Sequence, residues 1–237
     1  MSELYRILRP GGWGLLVVPI NRETTYENPT IVDPADRLEH FGQADHVRKY
    51  GRDFADKLFS DERAFFVETY RREEWAELGI PHEFVQNNHS RSRRGVVRGM
   101  HFPTRGGPRD EGQPKLVRCA CGTILDVVVD IRRGSPALGE WEAFELSDMR
   151  QLLCPVGFAH GYCVLSEAAD VVYRCDAYYD PHSEGRIASD HPDLAIAWPE
   201  GLKLVPSARD ARAPRLREVA DELPFRYRTS LSGEPCA

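Results

Sequence analysis

From Phe59 onward the sequence breaks into short apolar stretches separated by turn residues at intervals of about 8–12 positions, and this punctuation limits the fold most. FFVETY, HEFVQNNHS, GVVRGMHF, KLVRCACGTILDVVVDI, WEAFELS, RQLLCPVGFAHGYCVL and DVVYRCDAYY read as strands. Gly122-Thr123, Arg133-Gly134-Ser135-Pro136 and Pro155-Val156-Gly157 read as the turns between them. Many short, evenly spaced strands point to an all-β sandwich or barrel. One early helix, Arg71 to Leu78, interrupts the pattern, and SARDARAPRLREVADEL, beyond Trp198-Pro199, predicts a charged helical end.

The chain has 237 residues, 41% of them hydrophobic, which is enough for a real core. Its net charge of −6, with both signs interspersed, argues against a nucleic-acid surface, although Arg91, Arg93 and Arg94 could hold a phosphate. No run is long and apolar enough for a membrane span, so a soluble protein is expected. The six cysteines, at positions 119, 121, 154, 163, 175 and 236, lack the C-x-x-C pairing of a zinc site and read as reduced core residues of a cytoplasmic protein. Cys119 and Cys121 stand two apart, so on a regular strand both face the same side.

The densest chemistry lies between Phe84 and Lys115, where Arg98, His101 and Lys115 fall close together. His101 sits in GVVRGMHF, whose Val96, Val97 and Met100 are strand-like and whose Gly95 and Gly99 let the backbone bend or approach another chain closely. By itself such a histidine is more often a satisfied core or surface residue than a catalytic one. Gly95 followed by His101, and Pro155-x-Gly157-x-x-His160, are similar to the two half-motifs of the cupin jelly roll. Pro103 stands where metal-binding cupins usually present a second histidine, so a complete metal shell is not expected.

FVQNNHSRSRRGVVRGMHF, QPKLVRCACGTILDVVVDIRRGSPALGEW, ELSDMRQLLCPVGFAHGYCVLSEAADVVYRCDAYYDP and IAWP, in that order, resemble successive blocks of the dTDP-4-dehydrorhamnose 3,5-epimerases and their deoxysugar relatives. The resemblance implies a cupin-like antiparallel jelly roll over residues 58–237 and a homodimer. It also implies a dTDP-4-keto-6-deoxyhexose substrate inverted at C3, C5 or both without cofactor or metal. Carried over by position, His101 matches the catalytic base, Asp210 its carboxylate partner, Tyr173 the acid and Lys115 the cation near the substrate ketone. Arg63, Glu68, Gln86, Asn88, Arg98 and His160 match positions lining the nucleotide-sugar pocket. Taken singly, Tyr173 could be packing, Lys115 a solvated charge and Asp210 a helix-start carboxylate. A sugar-nucleotide-binding or regulatory cupin without catalysis, and a metal-dependent cupin enzyme, are the alternative readings. The interval from His101 to Lys115 is longer than is usual in the family, which bears on the rim of the pocket.

Residues 1–57 have a different texture. LYRILRPGGWGLLVVP resembles the helix, turn and strand late in the fold of a class I S-adenosylmethionine-dependent methyltransferase, and RLEHFGQADHVRKYGRDFADKL resembles its closing segment. The glycine-rich cofactor turn of that fold has no counterpart in this block, so a small α/β appendage without an intact cofactor site is expected.

Overall fold

The run ILDVVVD has no polar alternation between its valines, and a strand of this kind needs cover on both faces. A computed structural model provides it. The structure describes residues 26–27, 48–49, 59–61, 64–77, 80, 82–104, 112–147 and 150–227. Those up to His82 belong to one compact unit and those from Glu83 to another.

In the first unit β1 (Tyr26–Glu27) pairs with β2 (Arg48–Lys49), and β3 (Phe59–Asp61) pairs with β4 (Ala64–Phe66). The stretch FFVETY therefore leaves the strand at Phe66. Helix α1 (Arg72–Glu77) occupies the predicted position; Glu73 and Glu74 in its first turn complement the positive end of its dipole. Most of the methyltransferase-like block lies outside the described residues.

Among the described residues the second unit holds nine strands: β5 (Gln86–Arg93), β6 (Val97–Pro103), β7 (Lys115–Cys121), β8 (Ile124–Asp130), β9 (Trp141–Leu146), β10 (Gln151–Cys154), β11 (Phe158–Val164), β12 (Ala168–Cys175) and β13 (Glu184–Arg186). They form two antiparallel sheets, a four-stranded one ordered β10-β7-β12-β5 and a five-stranded one ordered β13-β6-β11-β8-β9. This is the expected all-β, cupin-like jelly roll. On one face of β8, Val127, Val129 and Ile131 pack with Met100, Phe102 and Ala159, and with Leu216, Leu223 and Phe225 from the carboxy-terminal segment. Each large apolar side chain buried in this way contributes about 1.5–3 kcal/mol. The alternate residues of β8 turn toward the four-stranded sheet, whose Val117, Leu152 and Val171 are fully buried.

The carboxy-terminal segment is not the long helix its composition suggests. It contains a 3-10 turn at Asp210–Arg212 and a short helix α2 (Leu216–Val219). Between them Ala213 is extended, with ψ of 143°, because the ring of Pro214 disfavours a helical residue before it. A second correction concerns the cysteine pair on β7. Cys119 is buried and Cys121 exposed. Asp170 faces Cys121 while the next residue, Val171, faces Cys119, so a bulge on β7 breaks the alternation that equal spacing implied. Cys154, Cys163 and Cys175 are buried and free, as read from the sequence, and Cys236 lies outside the described residues. DAYY is also not strand: β12 ends at Cys175, and Tyr178 and Tyr179 are exposed. No helix among the described residues is long and apolar enough to cross a membrane.

Two glycines set the path of β6. Gly95 has φ of +82°, and a Cβ there would lie 2.3 Å from the carbonyl oxygen of Lys203. Gly99 has φ of +136°, and a Cβ there would lie 2.4 Å from the Cα of Gly161. β6 and β11 thus approach so closely that only glycine fits, beside the register shift between His160 and Tyr162. Gly99→Ala should therefore lower stability by roughly 1–3 kcal/mol and displace His101 two residues on. Chemical denaturation with an unchanged midpoint would contradict this.

Candidate active site

Strand β5, QNNHSRSR, contains no apolar residue, yet it alternates regularly between partly buried and exposed positions. Its inward row, Gln86, Asn88 and Ser90, faces a cavity of about 580 Å³ rather than packed core, which explains a strand that is polar on both faces. Asn88 stands opposite Tyr173 on β12, and Gln86 opposite Cys175. Lys115, opening β7, is also opposite Cys175, while Tyr173 is opposite Val117. Lys115 and Tyr173 are therefore diagonal neighbours on the same face of the four-stranded sheet.

The five-stranded sheet forms the other wall. His101 on β6 is in register with His160 on β11, and Arg98 with Tyr162. His101, Lys115, His160 and Tyr173 all line the one cavity, together with Gln86, Asn88, Arg98 and Asp210. Of the remaining residues singled out from sequence, Glu68 belongs to the first unit, where it accepts a hydrogen bond of 2.7 Å from Arg71, and it is not among the lining residues. Arg63 lies outside the described residues, as do residues 105–111 of the lengthened interval.

His101 Nε2 lies 2.7 Å from Asp210 Oδ1. A carboxylate can only accept, so Nε2–H donates, and Nδ1 is left as the nitrogen able to take a proton. Asp210 is itself held: Ser207 Oγ donates to its Oδ2 at 2.8 Å, and its own backbone N–H donates back to Ser207 Oγ at 3.1 Å. Burial lowers the pKa of His101 from its ordinary 6.5, against the opposing pull of Asp210 and Glu184, with Lys115 adding to the lowering. A neutral imidazole backed by a carboxylate is the arrangement of a general base. Burial pushes the Tyr173 phenol up to about 12, so it remains a proton donor throughout the neutral range.

A second histidine–carboxylate pair stands beside the first. His160 Nε2 donates to Asp126, at 2.9 and 3.0 Å from its two oxygens. Asp126 has no exposed surface. Burial raises its carboxyl pKa, and His160 opposes the rise. Sequence reading missed Asp126, although an acidic residue inside an apolar run is itself a signal: once buried it needs a partner. The same logic applies to Asp130, whose partners are Arg132 and Ser135 rather than the cavity. Tyr162 and Ser90 were missed as well; their hydroxyls meet at 2.8 Å on the cavity wall, and no spacing rule brings β5 to β11. Arg98 Nε donates to Ser92 Oγ at 3.0 Å. At the mouth, Tyr178 and Tyr179 are 76% and 53% exposed, an aromatic surface on the rim of the cavity.

A sequence model of the dTDP-4-dehydrorhamnose 3,5-epimerase family matches residues 53–218. The dTDP-4-dehydrorhamnose 3,5-epimerase of Salmonella typhimurium is 47% identical over 166 residues, which is 69% of this chain and 88% of that protein. A dTDP-4-dehydrorhamnose 3-epimerase of Streptomyces niveus is 41% identical over 165 residues, covering 68% of this chain and 77% of the relative. A crystal structure of a dTDP-6-deoxy-D-glucose-3,5-epimerase from Legionella pneumophila, in complex with dTDP-4-keto-L-rhamnose, is 44% identical, covers 73% of this chain and 90% of its own, and superposes with a TM-score of 0.67. With the matched region spanning both sheets and every described side chain of the cavity, the chain belongs to the dTDP-4-dehydrorhamnose 3,5-epimerase family.

Proposed function

We propose that the chain epimerises a dTDP-linked 4-keto-6-deoxyhexose at C3, C5 or both by removing a proton next to the ketone. The observation that carries this reading is the distribution of groups across the cavity. A carboxylate-backed imidazole projects from the five-stranded sheet, while a phenol and an ammonium project from the four-stranded sheet. Inversion at carbon needs a base on one face of the sugar and an acid on the other, with charge stabilisation between them.

The C4 carbonyl makes the hydrogens on C3 and C5 acidic. His101 Nδ1 takes one of them, and the C–H electron pair moves into the carbonyl to give an enolate. Asp210 offsets the positive charge gained by the imidazole. Lys115 opposes the negative charge developing on the C4 oxygen; one well-placed donor of this kind is typically worth about 3–4 kcal/mol. Tyr173 then gives its proton to the same carbon from the opposite face, and the inverted ketone is regenerated. The ketone is the electron sink throughout, so the reaction as written calls on no cofactor. Arg98 supplies positive charge for the diphosphate, and the exposed tyrosines at the mouth suit the flat face of the base.

The remaining proposals rest on family resemblance and chemistry. The active species is a homodimer, which light scattering would report as twice the chain mass. Its free buried cysteines suit the reducing cytoplasm. Residues 1–57 form a methyltransferase-like segment apart from the 58–237 epimerase domain. All described residues lining the cavity lie between Gln86 and Asp210. Deleting residues 1–45 should accordingly leave the epimerisation rate within a few-fold, and a collapse of kcat with the fold intact would overturn that division.

The reaction is tested by proton NMR of dTDP-4-keto-6-deoxyglucose incubated with the protein in deuterium oxide. Deuterium should enter at each carbon that is enolised, which also distinguishes one inversion from two. His101→Ala should slow this exchange by about a hundred- to ten-thousand-fold at both carbons. Tyr173→Phe should reduce net inversion more than exchange. Exchange at the wild-type rate in His101→Ala would show that the base is another group.

A further inference from the structure

Asp126 on β8, His160 on β11 and Cys154 at the end of β10 bring a carboxylate oxygen, an imidazole nitrogen and a thiol sulfur within 4.8 Å of one another. The first two belong to the five-stranded sheet and the third to the four-stranded sheet, so the cluster joins the two walls beside the cavity. All three residues are buried, and Cys154 carries no disulfide. The proposed epimerisation gives Cys154 no task.

The donor set is specific. One imidazole nitrogen, one thiolate and one carboxylate suit a borderline dication of the zinc and cobalt type, whereas calcium and magnesium prefer all-oxygen shells. With bonds of about 2.0–2.3 Å, a tetrahedral ion holds its donors about 3–4 Å apart. To meet that, donors that now lie within 4.8 Å of one another draw in, while the 2.9 Å hydrogen bond from His160 to Asp126 opens. Charge favours a dication. Burial raises the pKa of the Cys154 thiol well above its ordinary 9.0, a cost the metal has to overcome, whereas the further rise caused by the nearby Asp126 charge reflects a negative field that attracts a cation. A bound M²⁺ would neutralise one carboxylate and one thiolate together. Lys115 and Cys175 face the cluster across β7 and β12; the ammonium opposes a cation, and the Cys175 thiol is neutral, held up to about 11 chiefly by burial.

We propose that Asp126, Cys154 and His160 bind one zinc-type divalent cation, and that its binding shuts the epimerase off. On binding, Cys154 releases its thiol proton to solvent, and the imidazole proton moves from Nε2 to Nδ1 so that the Nε2 lone pair reaches the metal. No oxidation or reduction occurs. His160 lines the cavity, so the fourth ligand is a water from the cavity side. The shut-off rests on the function proposed above, because it follows from drawing His160 off Asp126 and setting a second cation beside Lys115. Metal binding itself does not depend on that function.

Titration of the metal-free full chain with Co²⁺ should give a thiolate-to-cobalt charge-transfer absorption that saturates at one equivalent and is erased by Zn²⁺. Near-stoichiometric Zn²⁺ should stop epimerisation, and a chelator should restore it. In Cys154→Val and in the size-matched Cys154→Ser the absorption should vanish and inhibition should require at least about tenfold more zinc, with turnover in its absence within two-fold of wild type. Cys121→Ser, which removes the exposed thiol among the described residues, should behave as wild type. Absence of the absorption in wild type, or equal zinc sensitivity in both Cys154 variants, would overturn the proposal. The absorption needs no substrate, so its outcome is separate from any failure of the epimerase reading.

Discussion

The hydrogen bond between His101 and Asp210 holds together parts of the chain that sequence keeps far apart. At 2.7 Å it joins the middle of β6 to a 3-10 turn in the carboxy-terminal segment. Neither end is placed by local preference alone. β6 is fixed by its close approach to β11 at Gly99 and Gly161, and the segment carrying Asp210 continues into Leu216, Leu223 and Phe225, which cover the outer face of the five-stranded sheet. Apolar burial therefore delivers a carboxylate to an imidazole, and Ser207 fixes how the carboxylate points. The geometry of the His101–Asp210 pair and the stability of the fold are coupled here through the same stretch of chain.

The two sheets divide their labour by face. Where their inner surfaces meet closely they are apolar, as at Val117, Val128 and Leu152. Where they enclose the cavity they carry Lys115, Tyr173 and His160, with the fully buried Asp126 behind His160. Buried polar groups cost free energy unless paired, and here they are paired in tiers: His101 with Asp210, His160 with Asp126, and Ser90 with Tyr162. Burial, outweighing the opposing pull of Asp210, keeps the His101 imidazole neutral, and burial also leaves the Tyr173 phenol protonated, which sets a proton acceptor on one wall and a proton donor on the other.

Much of this could be read from the sequence because strands announce themselves by turns and short apolar runs. The strands from β5 to β12 lie where GVVRGMHF, ILDVVVD and their neighbours place them. His101, Lys115, His160 and Tyr173 share a cavity, as the family resemblance implied. What escaped had physical causes. The bulge on β7 depends on its partner strand, so Cys121 could not be turned outward from spacing. The carboxy-terminal segment has helix-favouring residues, but its apolar side chains gain more by covering β8, and Pro214 breaks the helix between them. Asp126 was concealed by its valines. Pairings such as Ser90 with Tyr162 arise only when distant strands meet, and no single-strand pattern records them.

Proton removal by His101 requires a neutral imidazole with its proton on Nε2 and a free Nδ1. Nitrogen-15 NMR of the histidine side chains, assigned with His101→Ala and followed through pH, observes this state directly. The Nε2–H tautomer is expected at neutral pH, with a titration midpoint below the ordinary 6.5, because burial outweighs the pull of Asp210. An imidazolium at neutral pH, or a neutral ring protonated on Nδ1, would contradict it.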